Sequence, residues 1–134
     1  MMHENKVAKK ILDAALEIHR ELGPGLFESV YEVILTETLR SHGLHVRRQV
    51  IVPLRFRNMS FDEGFRADLI VNGKVMVELK SVKVLEPVFT MQLRTYLRLT
   101  RLKLGLLINF NEALLKNGVR RVVNGLEEEK SLEE

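Results

Sequence analysis

Three residues lie where their side chains could work together chemically. In Glu78-Leu79-Lys80 a carboxylate and an ammonium stand two positions apart. In an extended chain they share one face, while Val77 and Leu79 point to the other. Asp68 stands ten residues before Glu78, inside an otherwise apolar stretch of Ala67, Leu69, Ile70 and Val71. Two carboxylates on adjacent strands offer hard oxygen ligands suited to Mg²⁺. A nearby lysine can hold or deprotonate a water and offset charge developing on a phosphate. A Glu-x-Lys alone is a common surface ion pair, so the company it keeps decides its meaning.

Helix geometry supplies that company. Residues 27–42 read as a helix with Phe27, Val30, Tyr31, Ile34, Leu35, Thr38 and Leu39 on one side. Glu28 falls between Leu35 and Leu39, about 20° from each. A carboxylate in an apolar arc needs a cation or donors, unless it merely caps the first turn of its own helix. In a further helix over 87–100, Gln92 and Tyr96 share the arc of Val88 and Leu99. Arg94, Arg98 and Arg101 fall on the opposite, solvated side. Gln92 is therefore expected to need a buried partner, either an active-site water or phosphate or a structural hydrogen bond.

The elements that must carry these residues follow from changes of period. Val7, Ile11, Ala14, Ile18 and Leu22 predict an amphipathic helix over 5–22, broken by Gly23-Pro24-Gly25. The period then becomes two over 46–56, with Pro53 at the strand's far end or on a sheet edge. Strands over 65–71 and 74–82 flank Asn72-Gly73, a strong hairpin signal. Residues 104–110 form a continuous apolar run, expected of a central strand covered on both faces. A short strand over 119–123 closes the order α, α, β, β, β, α, β, β, a mixed sheet with helices packed on it.

Composition sets the outer limits. The chain has 134 residues, 46% of them apolar and 29% charged, as in one globular domain. It has no cysteine, which excludes disulfides, thiolate catalysis and cysteine-held metals. No apolar run reaches a membrane-spanning length and no signal-peptide core is visible, so a cytoplasmic location is expected. The net charge of +3 conceals a basic body, with 20 Lys and Arg against 13 Asp and Glu over residues 1–126. Residues 127–134 hold five Glu and one Lys, expected as a disordered acidic tail. A basic body favours a polyanionic partner. His3, His19, His42 and His45 lack zinc-ligand spacing, no phosphate-cradling glycine loop is present, and no nucleophilic-serine motif occurs.

The motifs together resemble a known family. Gly25-Leu26-Phe27-Glu28-Ser29-Val30-Tyr31 resembles the signature of the GxxExxY proteins, a branch of the PD-(D/E)XK nuclease superfamily. Asp68 with Glu78-Leu79-Lys80 is similar to that superfamily's catalytic motif. Gln92-Leu93-Arg94-Thr95-Tyr96 resembles the QxxxY motif of RecB-related exonucleases. The likeness runs over about residues 5–124. It implies a restriction-endonuclease-like α-β-β-β-α-β core, with one additional N-terminal helix here, and metal-dependent phosphodiester hydrolysis. Carried over by motif position, Asp68 and Glu78 would ligate Mg²⁺ or Mn²⁺ with help from the Leu79 carbonyl. Glu28 would bind the metal directly or through water. Lys80 would position the attacking water, and Gln92 and Tyr96 would orient water, Lys80 or a phosphate.

Two functions follow as expectations. The first is a Mg²⁺-dependent nuclease acting on DNA. The second is a non-catalytic module on the same fold that binds nucleic acid or a protein. The core uses nearly all of the chain, so cleavage would depend on substrate structure, a partner protein or a homodimer. The site also makes a demand on the hairpin. A strict two-residue turn at Asn72-Gly73 pairs Val71 with Lys74 and puts Asp68 on the face opposite Glu78. A shared metal therefore requires a bulge, a longer turn or a strand bend between them.

Overall fold

The computed structural model describes residues 2–128. Two helices come first: α1 (Glu4–Leu22) and α2 (Glu28–Ser41). His3 caps α1 by accepting the Asn5 amide, and Gly23 ends it in a left-handed conformation at φ 73°. Strands β1 (Val46–Phe56), β2 (Met59–Val71) and β3 (Val75–Lys80) follow, then α3 (Pro87–Thr100), β4 (Leu104–Asn109) and β5 (Val119–Val123). A single 3-10 turn (Leu115–Gly118) precedes β5. The sheet order is β1-β2-β3-β4-β5. Only the β3–β4 pair is parallel, and α3 is its crossover. The mixed architecture expected from the order of elements is the one observed.

The sheet is covered on both sides. Leu69, Val71, Val75, Val77, Leu104 and Ile108 pack against Val7, Ile11 and Ile18 of α1 and Tyr31, Leu35 and Leu39 of α2. Ile70, Met76 and Leu107 pack against Leu93 and Leu97 of α3. Gly105 permits that close approach, because a Cβ there would lie 3.0 Å from the Leu93 side chain.

Several boundaries depart from the sequence reading. Helix α2 starts at Glu28, with Phe27 as its cap. β2 starts at Met59, six residues before the expected position, because residues 59–61 pair back onto the far end of β1. Their alternation, Met59, Ser60, Phe61, is short and breaks at Asp62, Glu63 and Gly64, which bulge opposite Pro53 alone. Pro53 sits on the edge strand, as expected. The apolar run over 104–110 contains one buried polar residue, Asn109. Its side chain holds both backbone groups of Val82 at 3.0 Å, pinning the chain just after Lys80. Of the expected tail, residues 129–134 lie outside the described residues. The Glu127 carbonyl and the Glu128 carboxylate hydrogen-bond to His3 and Asn5.

The register demand is met by a longer turn. Val71 pairs with Val75, leaving Asn72, Gly73 and Lys74 in the loop. Asn72 and Gly73 take φ of 54° and 64°, and the Asn72 side chain and amide are tied to the backbone of His45. The extra residue brings Asp68 opposite Glu78 on one face. A second irregularity sits at the same place. Val46 and Leu69 face α1 and α2, whereas Val50 and Ala67 face α3, so both strands exchange faces at Gln49 and Asp68. Gln49 absorbs the turn at φ 49°, a conformation rare for a residue with a side chain.

The loop before α2 depends on one hydroxyl. Tyr31 is fully buried, stacks on Phe110 at 4.2 Å, donates to the Gly23 carbonyl at 2.6 Å and accepts from the Leu26 amide. Removing that hydroxyl strands two backbone groups. Tyr31→Phe is expected to lose about 1–3 kcal/mol, read as a fall in Tm of roughly 4–10 °C in thermal melts.

Candidate active site

The β2–β3 ladder stops at Leu69 and Val77, one pair short of Asp68 and Glu78. Their side chains replace the missing rung. The Asp68 amide donates to Glu78 Oε1 at 3.2 Å, and the Leu79 amide donates to Asp68 Oδ2 at 2.9 Å. Each strand's backbone thus holds the other strand's carboxylate. Glu78 is 6% exposed and Asp68 is half-buried. Burial first, then the neighbouring Asp68 charge, pushes the Glu78 carboxyl up from 4.5 to about 9. Burial also raises Asp68, against the opposing pull of the Leu79 amide.

Lys80 shares the Glu78 face but forms no ion pair among the described residues. Its ammonium lies 4.5 Å above the centroid of the Phe89 ring of α3, a cation–π contact that holds the charge without neutralising a carboxylate. Tyr96 stacks on Phe65 at 4.0 Å. Burial, then the charges of Glu78 and Asp68, raises its phenol above the ordinary value, so the hydroxyl sits within their field.

Two sequence expectations need correction. Gln92 is exposed and makes no hydrogen bond among the described residues, because the buried stripe of α3 is Leu93 and Leu97. Val88, Met91 and Leu99 are exposed with it, so the apolar arc drawn around Gln92 is the outer edge of the packed one. Arg94, Arg98 and Arg101 are exposed, as expected. Glu28 does lie on the buried side of α2, but at its first turn it overhangs the sheet and is exposed. It caps neither its own helix nor a metal cluster. Its Oε1 accepts the Ser81 amide at 3.2 Å, just beyond β3. An open cleft of about 600 Å³ lies beside it, lined by Leu26, Phe27, Glu28, Ser81 and Asn111.

The structure adds residues that sequence reasoning missed. Glu32, one turn after Glu28, is 6% exposed. Arg48 grips its Oε2 through Nε and Nη2 at 3.2 and 2.9 Å, and Gln49 donates to its Oε1 at 2.6 Å. The same Gln49 amide reaches Asp68 Oδ1 at 3.4 Å. The signal for Glu32 was available, since it falls about 40° from Glu28 within the same arc. Nothing in the β1 sequence marked Gln49.

No group of three or more His, Asp or Glu side chains able to enclose a metal occurs among the described residues. Mg²⁺ does not require one, because it commonly binds through one or two carboxylates and retains several waters. Asp68 and Glu78 fit that chemistry: paired hard oxygens, desolvated, with no cation partner of their own.

The family pattern of the PD-(D/E)XK nuclease superfamily matches residues 5–122. The chain belongs to that superfamily, and its mixed five-stranded sheet with flanking helices accords with the restriction-endonuclease-like fold. No curated protein and no solved structure matches the chain. No described helix is long and apolar enough to cross a membrane.

The Glu78 shift has a consequence for stability. An unfolded glutamate ionises near 4.5, whereas the folded one keeps its proton until about 9. The folded state therefore binds more protons across that window, and stability falls as pH rises through it. Glu78→Gln removes the titration. Without divalent ions, its Tm relative to wild type is expected to climb from pH 5 to pH 9 and then level off.

Proposed function

We propose that this chain is a metal-dependent nuclease acting on DNA, formed by a single domain over residues 1–126 with an acidic tail over 127–134. The observation that carries the reading is the Asp68–Glu78 clasp, two desolvated carboxylates turned to one side of a splayed strand pair. A module that only binds phosphate has no use for such a pair, which repels it. Membership of the PD-(D/E)XK superfamily supports nuclease chemistry, and the sequence around Glu28 and Tyr31 resembles its GxxExxY branch.

Each residue then takes a role. Asp68 and Glu78 would hold Mg²⁺ or Mn²⁺, with the Leu79 carbonyl as a further oxygen. Glu28, held on the Ser81 amide, would reach the ion through water or directly once released. The ion supplies Lewis-acid polarisation of the phosphodiester and a more acidic water. Lys80, kept off the carboxylates by Phe89, orients the attacking water and offsets charge growing on the phosphate. Tyr96 faces the same field, and exposed Gln92 is free to meet water or a phosphate oxygen. Glu32, Arg48 and Gln49 act by holding Asp68 in place.

One observation favours a second reading, a nucleic-acid-binding module without cleavage. Glu28 is held on Ser81 rather than gathered with Asp68 and Glu78. Cleavage assays on single- and double-stranded DNA with Mg²⁺, Mn²⁺ or EDTA separate the two.

Two measurements test the nuclease directly. Mg²⁺ or Mn²⁺ bound only by the folded state raises its Tm by mass action. The rise is expected to be clearly larger for wild type than for Asp68→Asn, and equal shifts would remove Asp68 from the ligand set. In turnover assays, Glu78→Gln and Lys80→Met are each expected to reduce cleavage by about 10²-fold or more, whereas Arg98→Ala leaves it nearly unchanged. Glu78→Gln should still bind DNA. Cleavage that persists in purified Glu78→Gln would overturn the assignment.

A further inference from the structure

Beyond Gln49 and Asp68, β1 and β2 pair only with each other. They form a two-stranded ribbon that leaves the sheet at the catalytic carboxylates and runs out past it. Paired residues share a face, so Leu54, Phe61, Phe56 and Met59 line one side of its outer half. Phe56, Met59 and Phe61 are 53%, 53% and 47% exposed, and none belongs to either core. The tip, residues 55–60, carries two arginines and no acid. Arg55, paired with Ser60, lies on the opposite face and makes no ion pair among the described residues. Arg57, in the turn, lies 4.9 Å over the Phe56 ring.

An exposed apolar face on a ribbon this thin calls for an occupant, since two strands alone are marginally stable. A second copy of the chain fits poorly. Three half-exposed side chains offer on the order of 300 Å², against about 800 Å² per partner in a stable dimer. A nucleic acid fits both halves of the pattern. With the tip seated edge-on in a groove, Phe56 and Met59 can wedge against base faces. Arg57 in the turn and Arg55 on the other face can then neutralise phosphates of the groove walls.

We propose that the ribbon tip is a second nucleic-acid contact, with Phe56 and Met59 meeting bases and Arg55 and Arg57 meeting phosphates, distinct from the cleavage site that β2 also carries. This rests on the nucleic-acid reading above and deepens it by setting a minimum substrate length. Along β1 the ribbon runs from Gln49, beside Asp68, to Phe56, opposite Met59, seven residues or at most about 23 Å, roughly seven base pairs of duplex. The substrate must extend about that far to one side of the scissile phosphate to reach both contacts.

The test is fluorescence anisotropy in EDTA, so that nothing is cleaved. The probes are a duplex of about 30 base pairs, a single strand of the same length and a hairpin duplex of about four base pairs. On at least one long probe, Arg55→Ala/Arg57→Ala and Phe56→Ser/Met59→Ser are each expected to bind about tenfold more weakly than wild type. Only the arginine pair should flatten the slope of log K against log salt, by about 2. On the short hairpin both variants should match wild type. All four positions are exposed or lie in the turn, and unchanged melting curves would confirm folding. Wild-type affinity and slope in both variants on both long probes would overturn the ribbon contact while leaving the cleavage site untouched. So would a dimer in sedimentation that Phe56→Ser/Met59→Ser converts to monomer. A wild type that binds none of the probes would overturn this proposal and the nucleic-acid reading together.

Discussion

Two carboxylates, Glu78 buried and Asp68 half-buried, sit side by side, and much of the surrounding structure bears on that contact. Asp68 and Glu78 occupy the first position where β2 and β3 no longer pair, and each accepts a backbone amide from the opposite strand. The arrangement satisfies two buried donors and leaves two acids mutually repelling, with Glu78 driven to about 9. Such a site is stable only because other parts of the molecule over-determine it.

Four of those parts can be named. The extra residue in the β2–β3 turn fixes the register that puts both acids on one face. Gln49, held in a left-handed conformation, reverses the faces of β1 and β2 at Asp68 and spans Glu32 and Asp68 with one amide. Arg48 supplies the charge that lets Glu32 stay buried. On the other side of the sheet, Phe89 keeps Lys80 near the acids without letting it collapse onto them. Cation and anions remain separately available, which a simple surface ion pair would not allow.

Much of this was legible in the sequence, and the losses have physical causes. The helices, the strands, their order and the mixed sheet follow from the period of apolar residues, which burial on one or two faces imposes directly. Asp68, Glu78 and Lys80 stood out as charges at positions where the pattern calls for apolar side chains. Tyr31 stood out as an apolar neighbour of Glu28 and as the last residue of the GxxExxY-like signature, with no physical role for its hydroxyl. Its hydroxyl, bound to the backbone before α2, shows why that position takes tyrosine rather than phenylalanine. The stripe of α3 was misjudged because Val88 and Leu99 look buried by their spacing, yet both are exposed.

The sequence by itself determined which residues could do chemistry and which elements carry them, because residue type and local period are properties of the chain. Only the tertiary structure decided which of those residues meet. The Asp68–Glu78 convergence depends on a one-residue difference in turn length, and a slip of one residue reverses every face of a strand. Glu28 went to Ser81, Gln92 went to solvent, and Glu32 and Gln49 joined the acids. Each outcome was settled by where a helix sits over the sheet and where two strands part. Those are distances between segments far apart in the chain, and no local pattern encodes them.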